Sequence, residues 1–238
     1  MTGDMNKARK DRDTSKYAAE LLGTFALVFA GTGAIVIDSV SAGGVTHAGI
    51  AMTFGLVVMA MIYSLGGVSG AHLNPAVTFG FFLARRLPAR RVIPYVSSQV
   101  SGAILASGVL RLLFGNAAYL GATLPAGSAT QSFVLEAILT AILMFVILCV
   151  ATGSAEQGVM AGIAIGGTVG LEAMFAGPIC GASMNPARSI APALVSGTWA
   201  GLWIYIVAPI LGAAAAVPCW RITNCSSASL PAGNAKLE

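Results

Sequence analysis

Asn74 and Asn185 are the two residues whose setting is most specific. Each stands before Pro-Ala, in Ser69-Gly70-Ala71-His72-Leu73-Asn74-Pro75-Ala76-Val77-Thr78 and, 111 residues later, in Cys180-Gly181-Ala182-Ser183-Met184-Asn185-Pro186-Ala187-Arg188-Ser189. An Asn side chain caps free backbone N–H groups, and Pro at the first helical position lacks only an N–H that would be unbonded there anyway. Asn74-Pro75-Ala76 and Asn185-Pro186-Ala187 therefore each open a helix. The apolar segment that follows is eight to ten residues long, or about 12–15 Å, half of a bilayer core of about 30 Å. These are half-helices that enter a membrane without crossing it.

Glu20 and Glu136 are the second pair. Each lies inside an apolar stretch, and Glu-x-x-x-Thr recurs 116 residues apart, with Thr24 and Thr140. A carboxylate at mid-span carries an insertion penalty of about 2.5–3.5 kcal/mol, so each needs a partner inside the bundle. Proton relay and acceptance from loose backbone N–H groups are the two candidate roles. The second is favoured, because each half also holds a stretch read as non-helical (66–73 and 177–184) and no chain of intramembrane Lys or His accompanies the acids.

The elements that hold these residues follow from composition. With 56% hydrophobic and 9% charged residues, the chain is an integral membrane protein, since soluble domains are about one quarter charged. Six spans are read at 17–38, 47–66, 92–114, 132–152, 158–177 and 200–220, and small-residue faces such as Gly102 to Gly108 would let helices approach closely. Each half reads span, span, half-helix, span. Three crossings are an odd number, so the halves (about 17–114 and 132–222) must be inverted relative to one another. The fold class is an all-α membrane protein with six transmembrane helices and two re-entrant half-helices. Tails are expected at 1–16 and 223–238, with one channel domain at 17–222, a Gly/Ala/Ser-rich loop at 115–131 and a short turn at 152–157.

Inversion makes the half-helices enter from opposite faces, so their capped, partially positive N-termini meet near the midplane. The carbonyls of the lead-ins, at Gly70, Ala71, His72 and Leu73 and at Gly181, Ser183 and Met184, would line a narrow wet path.

Of thirteen Lys and Arg, five precede the first span, four stand at 85–91 and two follow the last span, while the loops at 39–46 and 115–131 hold none. That asymmetry predicts a multi-pass protein of the cell membrane with both termini cytoplasmic. It also assigns the basic balance to topology and not to nucleic acid. No Ser/His/Asp or metal constellation stands inside the spans, so an enzyme is not expected. The four cysteines have no metal or redox spacing, and no cofactor is expected.

Two Asn-Pro-Ala motifs in inverted halves, Arg188 directly after the second, and Glu20 and Glu136 opening the halves resemble the aquaporin or major intrinsic protein family over residues 17–222. The resemblance implies a homotetramer with one pore per subunit that passes small neutral solutes passively across the lipid bilayer. It implies that the Asn74 and Asn185 amides donate to a passing solute. It also implies an outer selectivity ring at Phe54, Ala173, Ala182 and Arg188, counted from the two asparagines. Water-specific members carry His at the place of Ala173, so a wider, less polar ring is expected here. Ser189 departs from the glycerol-facilitator pattern, Tyr205-Ile206 departs from the aromatic pair of water channels, and 177–192 most resembles the nodulin-like subgroup. That subgroup passes water, glycerol and undissociated arsenous, boric or silicic acid.

A water-selective aquaporin is the alternative solute reading. A secondary transporter ranks lower, because only Arg188 and Glu172 could form a coupling site. An occluded structural junction protein also shares such a fold. Glu172, beside Ala173, is read either as a partner holding Arg188 or a loop, or as an interfacial carboxylate at a subunit contact. His72 is placed at the inner mouth, as a structural hydrogen-bonding group or a pH sensor, and His47 is read as an interfacial residue at the start of the second span.

Overall fold

The computed structural model describes residues 2–153 and 158–225, with side chains described for 13–153 and 158–223. One half comprises α1 (Thr2–Val40), α2 (Thr46–Ser69), α3 (Pro75–Leu83) and α4 (Ala89–Phe114). The other comprises α5 (Ala129–Thr152), α6 (Ala161–Cys180), α7 (Pro186–Ser196) and α8 (Ile204–Cys225). Six of these helices are long and apolar enough to cross a membrane, α1 from Asp13 onward. At nine and eleven residues, α3 and α7 are not.

The halves repeat one packing scheme. In each, the first helix lies against the last and against the second, and α2 joins the halves by packing on α6. Each half-helix also crosses to the other half, α3 against α8 and α7 against α4, and their N-terminal ends meet. Glycines set the close approaches, as small residues do where lipid gives helices no apolar drive to associate. A Cβ at Gly102 would strike the Leu21 carbonyl of α1, and one at Gly212 would strike the Ala137 carbonyl of α5. Gly108, expected on the same face as Gly102, borders open space.

Three boundaries differ from the sequence reading. α1 begins at Thr2, because residues 4–22 hold neither Gly nor Pro and nothing stops the helix before the apolar stretch. The stretches read as non-helical from 66 and 177 stay helical to Ser69 and Cys180. There Gly70 (φ 92°) and Gly181 (φ 86°) take the left-handed conformation and donate their N–H groups to the Gly66 and Gly177 carbonyls. Pro178 lies inside α6 and leaves the Met174 carbonyl without its helical donor. His47 of α2 fills that position, with Nε2 2.7 Å from the Met174 oxygen, which makes it a bridge between α2 and α6.

The third difference is the loop at 115–131, which is not plain surface loop. A short turn at Ala117–Gly121 with left-handed backbone at 118–120 folds back on α1, α4 and α7 and buries Leu120. Most of the expected turn at 152–157, and the tail from 226, lie outside the described residues.

Candidate functional site

Each half-helix begins as its sequence dictates. Asn74 Oδ1 accepts from the Ala76 N–H at 2.8 Å, and Asn185 Oδ1 accepts from Ala187 at 3.0 Å and Arg188 at 3.3 Å. The amide nitrogens cross between halves. Asn74 Nδ2 donates to the Met184 carbonyl at 2.7 Å, and Asn185 Nδ2 donates to the Leu73 carbonyl at 2.9 Å. Each asparagine is thus held by the residue that precedes the other one. An amide has two N–H donors, so one anchors the pair and the second is left for the cavity that both asparagines line.

The lead-ins are fixed from behind by the two buried acids. Glu20 Oε1 accepts from the Ser69 hydroxyl (2.7 Å) and the His72 N–H (2.9 Å), and its Oε2 accepts from the Leu73 N–H (2.8 Å) and Gln99 Nε2 (2.7 Å). Glu136 holds the Ser183 and Met184 N–H groups, each at 2.7 Å. A planar peptide points its C=O opposite its N–H. With the His72 and Leu73 N–H groups turned to Glu20, the Ala71 and His72 carbonyls turn away from it, and the Ala182 and Ser183 carbonyls likewise turn away from Glu136. The cost is left-handed backbone at four non-glycine residues, Ala71, Leu73, Ala182 and Met184 (φ 39–52°). Thr24 and Thr140 do not touch the carboxylates, since each hydroxyl bonds the backbone carbonyl four residues back.

A matched layer of hydroxyl contacts ties each lead-in to its half-helix. His72 Nδ1 lies 3.1 Å from the Thr78 hydroxyl, which also accepts from Gln99 Nε2 at 2.9 Å. In the other half the Ser183 and Ser189 hydroxyls are 2.5 Å apart, and Thr123 donates to Ser189 at 2.8 Å. His72 is stacked on Phe81 with ring centroids 4.4 Å apart.

A cavity of about 690 Å³ connects these groups. One end is lined by Lys16, Arg86, Arg91 and Gly153, its middle by Asn74 and Asn185, and its other end by Phe54, Ala173, Ala182 and Arg188. All four residues expected in the outer ring border this cavity, and two of them, Phe54 and Arg188, are in contact. Of the expected lining carbonyl residues, Gly70, Ala71, His72, Leu73, Ser183 and Met184 border the cavity, whereas Gly181 does not. Pro75, Ala76, Pro186 and Ala187 are buried in the first turns of α3 and α7 and shape the site without lining it.

Arg188 is 3% exposed. Its Nη1 donates to the Gly121 carbonyl at 2.7 Å, and its Cζ lies 5.1 Å from the Phe54 ring centroid. Phe54 is seated against Gly31 of α1, where a Cβ would run into the ring. The expectation that Glu172 holds Arg188 or a loop is corrected, because neither carboxylate oxygen has a hydrogen-bond partner among the described residues. It is also 1% exposed, so it cannot form a subunit contact.

The sequence reading missed Gly121, Thr123 and Gln99, and it named Ser189 only as a departure from the glycerol-facilitator pattern, without its hydroxyl contact. That contact was discoverable, since Ser189 stands four residues after Asn185 as Thr78 stands four after Asn74. Gly121 and Thr123 carry no local signal. Among the described residues no group of His, Cys, Asp or Glu could hold a metal ion, and Cys149, Cys180 and Cys219 are free thiols.

Six membrane-length helices, two head-to-head half-helices and a polar-lined cavity between them define a multi-pass membrane channel protein. The family model described as major intrinsic protein matches residues 7–220, and the chain belongs to that family of aquaporin channels. Aquaporin NIP1-4 of Oryza sativa subsp. japonica is 54% identical over 198 residues, covering 83% of this chain and 72% of the relative. Nodulin-26 of Glycine max is 47% identical over 210 residues, covering 88% and 78%. These nodulin-like relatives match the subgroup read from residues 177–192. The crystallographic aquaglyceroporin of Plasmodium falciparum shares the fold, with a TM-score of 0.78 at 24% identity over 92% of this chain and all of that one. The family consists of channels, not enzymes, and moves small neutral solutes through membranes.

Proposed function

We propose that this chain is a passive channel of the cell membrane for water and for slightly larger uncharged hydroxylic solutes, namely glycerol and undissociated metalloid hydroxides such as arsenous, boric or silicic acid. The observation that carries the reading is the make-up of the outer end of the cavity. Phe54 and Arg188 lie against each other, and the other two residues read into that end, Ala173 and Ala182, which also border the cavity, are small. Small side chains leave room that a ring of four bulky groups would fill. In this reading the basic face, with both termini, is cytoplasmic, and four protomers assemble with one pore each.

Selection follows from hydrogen-bond replacement. A neutral hydroxylic solute exchanges its water contacts for Arg188, the second N–H of each asparagine amide, and the lead-in carbonyls. An ion finds too few groups to replace a full hydration shell. A cation or proton also meets the buried Arg188 charge and then the positive ends of α3 and α7. The test is stopped-flow permeability of purified protein in liposomes against water, glycerol, boric acid and arsenous acid. Entry of glycerol and at least one metalloid hydroxide, linear in concentration, supports the reading. Water entry alone makes the chain water-selective, and saturable, ion-coupled entry makes it a transporter.

A further inference from the structure

We propose that the basic end of the cavity is a binding site for a phosphate-bearing anion, and that its occupation closes the lumen. This rests on the channel reading above, which puts that end at the cytoplasmic face. Lys16 of α1, Arg86 of the α3–α4 connection and Arg91 in the first turn of α4 line the same cavity, and no Asp or Glu is among the described residues that line it. Topology alone asks only that the loop arginines stay on this face. Arg85 and Arg90 meet that need without lining this cavity; Arg86 and Arg91 border it.

The three cations are incompletely neutralised. Arg91 is paired through Nη2 with Asp13 at 2.8 Å, the one ion pair among the described residues, and its Nε is shut off from solvent without a hydrogen-bond partner. The Arg86 guanidinium lies over the Trp220 ring, 5.7 Å from its centroid, a contact that orients a cation and leaves its charge in place. At the same place α4 begins, a 26-residue helix with Pro88 as its N-cap, no capping side chain and no acid in its first turn. Its positive end adds to the field of the side chains. A phosphomonoester brings several oxygens and close to two negative charges, and arginine forks bind such oxygens in charge-assisted pairs. A neutral solute gains none of this and passes. The anion could be a lipid headgroup at the interface or a free phosphate ester, since the chemistry is shared.

The experiment uses the full chain in phosphatidylcholine vesicles, with inositol trisphosphate present on both sides in one arm and phosphatidylinositol bisphosphate in the bilayer in the other. Phosphatidylserine is the anionic lipid control without a phosphomonoester. Glycerol permeability is one readout. The second is Trp220 fluorescence in a Trp199→Phe/Trp203→Phe background, which reports occupation beside Arg86 whether or not solute flows. The proposal expects permeability to fall and Trp220 emission to shift in at least one arm, both reversed by salt, and the responding arm names the source.

Arg86→Gln/Arg91→Gln should weaken the response about ten-fold or more, the loss of a charge-assisted contact. Arg85→Gln/Arg90→Gln, with the same charge removed, should keep it. No Trp220 response in either arm overturns the proposal, as does an equal loss in both double variants or an equal effect of phosphatidylserine. An emission shift with unchanged permeability overturns closure. If the wild type passes no solute at all, the channel reading fails, and the Trp220 titration still decides the anion site.

Discussion

Arg188 donates through Nη1 to the carbonyl of Gly121 at 2.7 Å. The guanidinium is thereby held by a backbone atom of the segment between the two repeats, and one face of it lies on Phe54. In the first repeat the matching position is Val77, so the helix start needs no charge and the arginine serves the cavity. Arg188→Val should admit protons or small cations on the order of ten-fold faster, as loss of about 1.4 kcal/mol of barrier gives, while water permeability does not fall. Proton flux measured with a pH dye in liposomes checks this, and unchanged flux contradicts it.

Glu20 and Glu136 do the same work with different numbers of donors. Glu20 takes four, including Ser69 and Gln99, whereas Glu136 takes two backbone N–H groups and faces the weaker Cys180 thiol donor. Each buried donor left without an acceptor costs about 1–3 kcal/mol. Glu20→Ala should therefore lower the thermal unfolding midpoint in detergent more than Glu136→Ala does. An equal or reversed order would show that these donors find other acceptors.

Gly31 gives Phe54 its place. Any side chain at 31 meets the ring, whereas a Cβ at Gly33 on the same helix makes only ordinary contact with Leu110. Gly31→Ala should push the ring toward Ala173 and Ala182 and cut glycerol permeability several-fold more than water permeability, while Gly33→Ala leaves the ratio unchanged. If both variants behave alike in side-by-side stopped-flow traces, the ring is not seated by Gly31.

Glu172 is buried without a partner for either oxygen among the described residues. An unpartnered buried polar group costs about 1–3 kcal/mol, and an apolar side chain of similar size removes that cost. Glu172→Met should raise the unfolding midpoint and leave glycerol permeability within error. Loss of permeability would assign Glu172 a part in the lumen instead.

Much of this arrangement was legible because the repeat is written in residue types with few structural uses. Asn-Pro can only begin a helix well, and Glu inside an apolar stretch demands donors, so the half-helices, the inversion and the two anchoring acids followed from the chain. The helix ends at Gly70 and Gly181 were harder. Several glycines precede each, and only backbone geometry decides which takes the left-handed turn. The seat of Arg188 was not legible at all. A backbone carbonyl holds it, every residue has one, and the left-handed turn at 118–120 that brings Gly121 inward lies in a Gly/Ala/Ser-rich stretch with the look of surface loop. The bond made by His47 was not legible either, because its partner is the carbonyl that Pro178 frees, a relation between residues 127 positions apart on two helices.

The central claim is that Asn74 and Asn185, locked head to head through the Met184 and Leu73 carbonyls, line a lumen that passes neutral hydroxylic molecules and stops protons. The most direct measurement is paired: glycerol entry and proton flux in the same batch of liposomes holding purified wild-type protein. The account predicts glycerol entry well above that of empty liposomes with proton flux equal to theirs. Glycerol entry no faster than in empty liposomes, or proton flux rising with it, would contradict the account.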